Sequence, residues 1–280
     1  MAITTTVITG ATSGIGEATA FALARKDHAL YLLVRNVQKS GELKQRISKE
    51  TGNKNVHIVY CDLTDLTTVA AAADELRSKL FNVQVLINNA GGMFNHFALT
   101  KDGFETTFQL NHLGHFLLTK KLMPLLEKGQ ARIINVSSDL HRRGKPDFES
   151  INDPQKYSAM GAYGNSKLFN IYFTKSIAGR YASKGITSYA LHPGVVKTNF
   201  NSKLTGGLKL MFSLATPFMI TAEKGAETSV YLATAPKLEP KSGSYFVRKK
   251  PVKPAGIAQD ETSRERLWNL SETMVAKFDV

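Results

Sequence analysis

The chain has 280 residues, of which 42% are hydrophobic and 21% charged, with a formal net charge of +13 and one cysteine, Cys61. This length suits one large α/β domain or two small ones, and the ordinary composition excludes collagen-like, coiled-coil and disordered chains. One cysteine excludes an internal disulfide and fits a reducing, cytoplasmic setting. No run reaches the roughly 18 apolar residues of a membrane span, and the opening MAITTTVITG has no charged flank or apolar segment of a leader. The basic residues are spread along the chain, densest in RKKPVK (248–253). They suit an anionic ligand; nucleic-acid binding ranks last, and a weak peripheral membrane contact stays a minor alternative.

The first predicted strand, TTTVITG (4–10), runs into TGATSGIG and then the helix pattern GIGEATAFALARK. Gly10, Gly14 and Gly16 allow a sharp turn and close backbone approach to a pyrophosphate, and the helix N-terminus offers free N–H groups to it. Ser13 and Ile15 lie in the same turn and join the expected cofactor contacts. The spacing is Gly-x-x-x-Gly-x-Gly rather than Gly-x-Gly-x-x-Gly, so the strand-to-helix context carries the reading. The second strand, ALYLLVR (29–35), ends in Arg35. An acidic residue there would bind a ribose 2′-hydroxyl, whereas arginine favours a 2′-phosphate, hence NADP(H) over NAD(H).

The third strand, VHIVYCD (56–62), ends in Asp62, which is placed to accept the adenine amino group, to cap a helix, or to do both, with Leu63 beside it. The next helix pattern, DLTTVAAAADELRSKL, begins at a cap supplied by Thr64 or Asp65. Further strands are VQVLINN (83–89), ARIINVSS (131–138), GITSYALHP (185–193) and a short SYFV (244–247). Near-continuous apolar strands alternating with helices predict an α/β, Rossmann-type doubly wound parallel sheet of about seven strands, with helices on both faces and one domain over 1–280. Two segments interrupt the alternation after strand ends, where such sheets bind ligands: a polar stretch at 139–160 and an apolar one at 201–222. The second reads as a substrate lid, a dimer surface or a shallow membrane contact, with Met211, Phe212, Leu214 and Phe218 as wall residues or helix packing.

Two tyrosines precede the sixth strand. Tyr163 has Lys167 four residues on, on one helix face; Tyr157 has Gly161 there. An ammonium lowers a tyrosine pKa from its ordinary value of roughly 10, as acid–base chemistry near neutral pH requires. Ser137 and Ser138 stand at the mouth of the fifth strand, where a hydroxyl can hold a substrate oxygen. After HPG, Val196 and Thr198 are placed to meet a cofactor. His112 and His115 read as helix packing rather than metal ligands, and no metal is expected. His141 reads as a residue of a solvated loop near the site, with substrate contact as the alternative, and Cys61 as a buried small residue.

TGATSGIG, NNAG (88–91), NVSS, YGNSK and HPGVVKT resemble, in order and spacing, the short-chain dehydrogenases/reductases, and LNHLGHFLLT and ERLWNLS resemble the retinol dehydrogenase-like branch. The resemblance covers the whole chain. It implies that Tyr163 is the proton donor or acceptor, that Lys167 binds the nicotinamide ribose and lowers the tyrosine pKa, and that Ser138, rather than Ser137, orients the substrate oxygen. It also implies that Asn111 holds a water of a proton relay, and that Asn89, Ala90 and Gly91 line the cofactor. Read without the family, Asn111 is a helix-interior residue satisfying a carbonyl. The implied activity is interconversion of a carbonyl and an alcohol on a small to medium, apolar substrate, with a homo-oligomer as an expectation. Two features depart from the pattern: the N-terminal apolar anchor of membrane-bound members is not seen, and Ser13 stands where many NADP-dependent relatives carry a basic residue. The alternative is a nucleotide-binding scaffold or regulatory protein without turnover.

Overall fold

A computed structural model describes residues 3–196, 219–238 and 241–279. Its centre is a sheet in the order β3-β2-β1-β4-β5-β6-β7-β8. The strands are β1 (Thr5–Thr9), β2 (Ala29–Val34), β3 (Val56–Tyr60), β4 (Val85–Asn88), β5 (Arg132–Val136), β6 (Thr187–His192), β7 (Tyr245–Val247) and β8 (Lys250–Pro251). Every pairing is parallel except β7 with β8. The seven expected strands are present. The additional β8 is two residues long and contains proline, so no periodicity marks it. Its turn places both Arg248 (φ 50°) and Lys249 (φ 63°) in the left-handed region, in a two-residue hairpin loop usually built from asparagine and glycine. The basic RKKPVK stretch is this hairpin.

Alternate strand residues feed the two faces. Val7 joins one apolar cluster and its neighbour Ile8 the other; Leu33 and Leu32 divide in the same way. One face is covered by α1 (Gly14–Ala24), α2 (Val37–Thr51) and α7 (Ala222–Thr234). The other is covered by α3 (Leu66–Lys79), α5 (Gly114–Lys128) and the 22-residue α6 (Ala159–Arg180), with α8 (Glu261–Val275) packed behind α6. Local chemistry sets the helix starts. Asn36 caps α2 by accepting the Lys39 N–H at 3.0 Å, Asp65 caps α3, and Ser158 caps α6.

Before α5 the chain makes a short turn, α4 (Thr106–Phe108), and then a π-helical turn over Gln109–Leu113. Such widened turns concentrate at functional sites. Gly114, just after it, lets the helix close on Leu63: a Cβ there would stand 2.9 Å from the Leu63 carbonyl oxygen.

Candidate active site

One cavity of about 1020 Å³ opens along the carboxyl ends of β1 to β6, where open parallel sheets bind ligands. Gly10, Ser13, Gly14, Ile15, Gly16, Arg35, Asp62, Leu63, Asn89, Ala90, Gly91, Ser138, Tyr163, Lys167 and Val196 all line it. Asn111 does not; it stands fully buried behind the wall. Thr198 and the proposed wall residues Met211, Phe212, Leu214 and Phe218 lie outside the described residues. Of the 201–222 segment, Met219 lines the cavity, and Ile220 bridges to Val196.

The nucleotide end is made of main chain. Gly10 (φ 67°) and Gly14 (φ 56°) take the left-handed conformation. At Gly16 an added Cβ would lie 2.2 Å from the Gly10 carbonyl oxygen. Ser13 makes no side-chain cap to the first turn of α1, so the N–H groups of that turn are left to an anionic ligand. These features fit a dinucleotide. Arg35, Asn36 and Lys39 line the same end, and no carboxylate pairs with Arg35 or Lys39 among the described residues. Lys39 was missed in the sequence; its signal is its place one turn into the helix that follows Arg35. Asp62 does not cap α3. Its Oδ1 accepts the N–H (3.0 Å) and hydroxyl (2.7 Å) of Thr64, while Asp65 accepts the Thr67 and Thr68 N–H groups.

At the other end, the two serines separate. The Ser137 hydroxyl donates to the Lys167 carbonyl at 2.7 Å, whereas Ser138 is hydrogen-bonded to the Tyr163 hydroxyl. Lys167 is 3% exposed. Its Nζ donates to the Val136 carbonyl at 3.1 Å and lies 5.5 Å from the centroid of the Tyr163 ring. Burial lowers the Lys167 pKa to about 8. Burial also pushes Tyr163 up to about 12, with the Ser138 hydrogen bond opposing the rise. The expected net lowering of the tyrosine pKa is therefore corrected: desolvation of the phenolate dominates, and the pKa lies above rather than below its ordinary value. Tyr157 is set apart, its hydroxyl donating to the Phe94 carbonyl at 2.6 Å and its ring edge-on to Phe97.

Asn111 clamps the wall from behind. Its Oδ1 accepts the Gly92 N–H at 2.8 Å, and its Nδ2 donates to the Gly92 carbonyl at 2.9 Å and to Ser166 Oγ at 2.8 Å. His141 is fully buried rather than solvated. It sits 2.7 Å from the Ser138 carbonyl through Nδ1 and accepts the Ala255 N–H through Nε2 at 3.0 Å, so it braces Ser138 instead of meeting substrate. His112 packs among Phe108, Phe169 and Phe173 and contacts Ser271 at 2.9 Å. Burial lowers its pKa to about 3. The Cys61 thiol is buried and pushed up to about 12, which leaves it unreactive. Among the described residues no cluster of His, Cys, Asp or Glu could hold a metal, and no helix is long and apolar enough to cross a membrane.

Sequence reasoning also missed the apolar wall beyond Tyr163. Met93, Phe94, Leu110 and Met160 line it. They come from three separate segments, and only the fold brings them together. A hydroxyl pair beside a buried lysine, at the end of a dinucleotide-shaped cleft, can exchange a proton with an oxygen while the oxygen-bearing carbon faces the cleft.

Known proteins resemble this chain along most of its length. Residues 4–208 match the family model for short chain dehydrogenase. The chain is 41% identical over 268 residues to retinol dehydrogenase 12 of Mus musculus, covering 95% of this chain and 84% of that one. It is 38% identical over 278 residues to the WW domain-containing oxidoreductase of Pongo abelii, covering 96% and 67%. Among solved structures, an uncharacterised protein from Mycobacterium Paratuberculosis superposes with a TM-score of 0.79 at 32% identity, covering 98% of this chain and 93% of that chain. With its parallel sheet, glycine turn and Ser138–Tyr163–Lys167 grouping, the chain belongs to the short-chain dehydrogenase family, oxidoreductases that interconvert carbonyl and alcohol groups, and to its retinol dehydrogenase-like branch.

Proposed function

We propose that the protein is an NADP(H)-dependent oxidoreductase in which Tyr163 exchanges the proton with the substrate oxygen. The hydrogen bond between Ser138 and Tyr163, with Lys167 against the same ring, carries this reading. When bound, the nicotinamide supplies or takes up hydride at the substrate carbon. In the reducing direction Tyr163, neutral at physiological pH, donates its proton to the developing alkoxide, and Ser138 donates a hydrogen bond to the same oxygen. Lys167, mostly charged below about pH 8, steadies the phenolate left behind. The Asn111 clamp holds Gly92 and Ser166 so that Lys167 keeps its place. Arg35, helped by Lys39, lines the cavity at the end of β2 and would hold a 2′-phosphate, which supports NADP(H) over NAD(H). Apolar lining at Met93, Phe94, Leu110 and Met160 supports a small to medium apolar carbonyl or alcohol, in keeping with the retinol dehydrogenases this chain resembles.

Calorimetric titration with NADPH and NADH, run beside turnover of medium-chain aldehydes, tests the reading. The wild type binds NADPH more tightly, and Arg35→Ala loses about tenfold or more of that affinity. Tyr163→Phe keeps cofactor affinity and loses about 10²-fold or more in turnover. Equal affinity for the two cofactors would overturn the NADP assignment. Turnover surviving in Tyr163→Phe would overturn the proton assignment, and absence of turnover in the wild type with cofactor bound would favour a nucleotide-binding scaffold.

A further inference from the structure

His112 and His115 are three residues apart, yet they occupy different surroundings. His112 lies in the aromatic cluster against α8. His115, 2% exposed, lies behind the catalytic wall inside a hydrogen-bond network that fixes every proton. Thr9 Oγ accepts the N–H groups of Asn89 and Ala90, each at 3.0 Å. A hydroxyl has two acceptor sites and one proton, so the Thr9 proton is left to be donated. Its nearer acceptor is His115 Nε2 at 2.9 Å; the Ile87 carbonyl stands at 3.5 Å. On the far side of the ring, Nδ1 lies 3.2 Å from the main-chain carbonyl of Asn111. A carbonyl can only accept, so Nδ1 carries the imidazole proton. Protonating Nε2 as well would aim an N–H at an oxygen whose acceptor sites are filled.

We propose that His115 is a positioning residue for the Tyr163–Lys167 reaction, a neutral Nδ1–H imidazole that ties the Asn111 main chain to Thr9 and so to the Asn89–Ala90 turn. The inference rests on the catalytic reading of Tyr163 and Lys167 given above. Its consequence follows the bonds. The Asn89–Ala90 turn walls the cofactor end of the cavity. Thr9 and His115 carry that wall to the π-helical turn at Asn111, and the Asn111 side chain carries it on to Gly92 and to Ser166, the residue before Lys167. Cofactor wall and catalytic lysine are thereby held in one register. Two charged or titratable neighbours bear on the ring: Lys167 and His112. Together with burial, the Lys167 charge lowers the His115 pKa to about 4, against the Asn111 hydrogen bond, so the tautomer persists through the working pH range.

The first arm of the test needs no turnover. Nitrogen-15 imidazole spectra of the whole wild-type protein, assigned with His115→Asn, should show His115 neutral and protonated at Nδ1 from pH 8 down to pH 5. An Nε2–H tautomer, or titration near the ordinary histidine value, overturns the inference. The second arm compares His115→Phe, which keeps ring volume and loses both bonds, with His115→Asn, whose amide restores the donor to the Asn111 carbonyl. Per folded enzyme, His115→Phe should lower kcat by about 10- to 100-fold, as expected for a displaced catalytic group, with a smaller loss of NADPH affinity and His115→Asn recovering most of the kcat loss. Unchanged kcat per folded enzyme in both variants, with only Tm reduced, makes His115 a packing residue and overturns the proposal. Should His115→Phe not fold, His115→Asn and the spectra decide. Failure of the tyrosine reading would appear separately, as turnover retained in Tyr163→Phe.

Discussion

The two ends of the cavity are built from different materials. At the nucleotide end, β1 and α1 form the site with main chain, and its defining property is missing side chains: a Cβ at Gly16 would fall 2.2 Å from a carbonyl oxygen and 2.5 Å from Asn89 Nδ2. At the catalytic end, β4, β5, α5 and α6 form the site with side chains, each held by another. Beneath it runs a buried polar ladder. Asn88 and Asn135, paired across β4 and β5, meet at 2.8 Å, and Asn135 continues to Thr174 at 2.9 Å and to Ser188 at 3.4 Å. The difference teaches where each end is vulnerable. A main-chain site fails when an atom is added, whereas a side-chain site fails when an atom is removed and its partner is left buried without a bond.

Two substitutions should separate the ends. The larger effect is expected for Gly16→Ala. Its methyl cannot be placed without moving α1 away from β1 and displacing the N–H groups that face the phosphates, so NADPH affinity should fall about 100-fold or more, at a stability cost of about 1–3 kcal/mol. Titration and thermal melting measure the two together, and an affinity within threefold of wild type would show that the glycine turn does not form the nucleotide site. The smaller effect is expected for Asn135→Leu, which keeps the side-chain size, removes the acceptor of one Asn88 amide N–H and the donor to Thr174, and leaves Asn88 its bond to Thr119 and Thr174 its bond to the Asn170 carbonyl. Stability should fall by about 2 kcal/mol with NADPH affinity unchanged. Loss of affinity without loss of stability would break the division between the two ends.

The same difference explains what was legible in the sequence. Glycines in TGATSGIG, Arg35 closing β2 and Tyr163 four before Lys167 are short-range signals, because turn sterics and helix period act over a few residues. Strand positions and the parallel sheet class were legible through the run of apolar β-branched segments. The polar ladder was not, since asparagines in VQVLINN and ARIINVSS look like strand ends until the β4–β5 register places them opposite each other. His141 read as a loop residue because its burial depends on Ala255, more than a hundred positions away. His115 read as packing because its partners, Thr9 and the Asn111 carbonyl, meet only after β1 and α5 are brought together. The pKa of Tyr163 was misjudged because helix spacing supplies proximity to Lys167 but not the direction in which Nζ points or the depth of burial.

Acidity separates the ends more gently than any substitution. Lys167 is a base whose pKa is lowered to about 8, so it is cationic below that pH and neutral above it. Tyr163, raised to about 12, stays neutral across the same range. The only charge lost between pH 7 and 9 in the pair is thus the ammonium proposed to steady the tyrosinate. Reductive kcat/KM should be flat below pH 7, halve near pH 8 and fall about tenfold per further unit. The proposed 2′-phosphate site at Arg35 does not use the Lys167 ammonium, so above about pH 7, where a phosphate monoester is fully ionised, the NADPH-over-NADH affinity ratio should stay constant while kcat/KM falls. Measuring both quantities from pH 6 to 10 in one buffer series decides the matter. If the affinity ratio falls in step with kcat/KM, a titrating group is shared by the two ends and their independence is lost. If kcat/KM holds to pH 10, the lysine charge does not govern proton transfer, and the chemistry rests on Ser138 and Tyr163 alone.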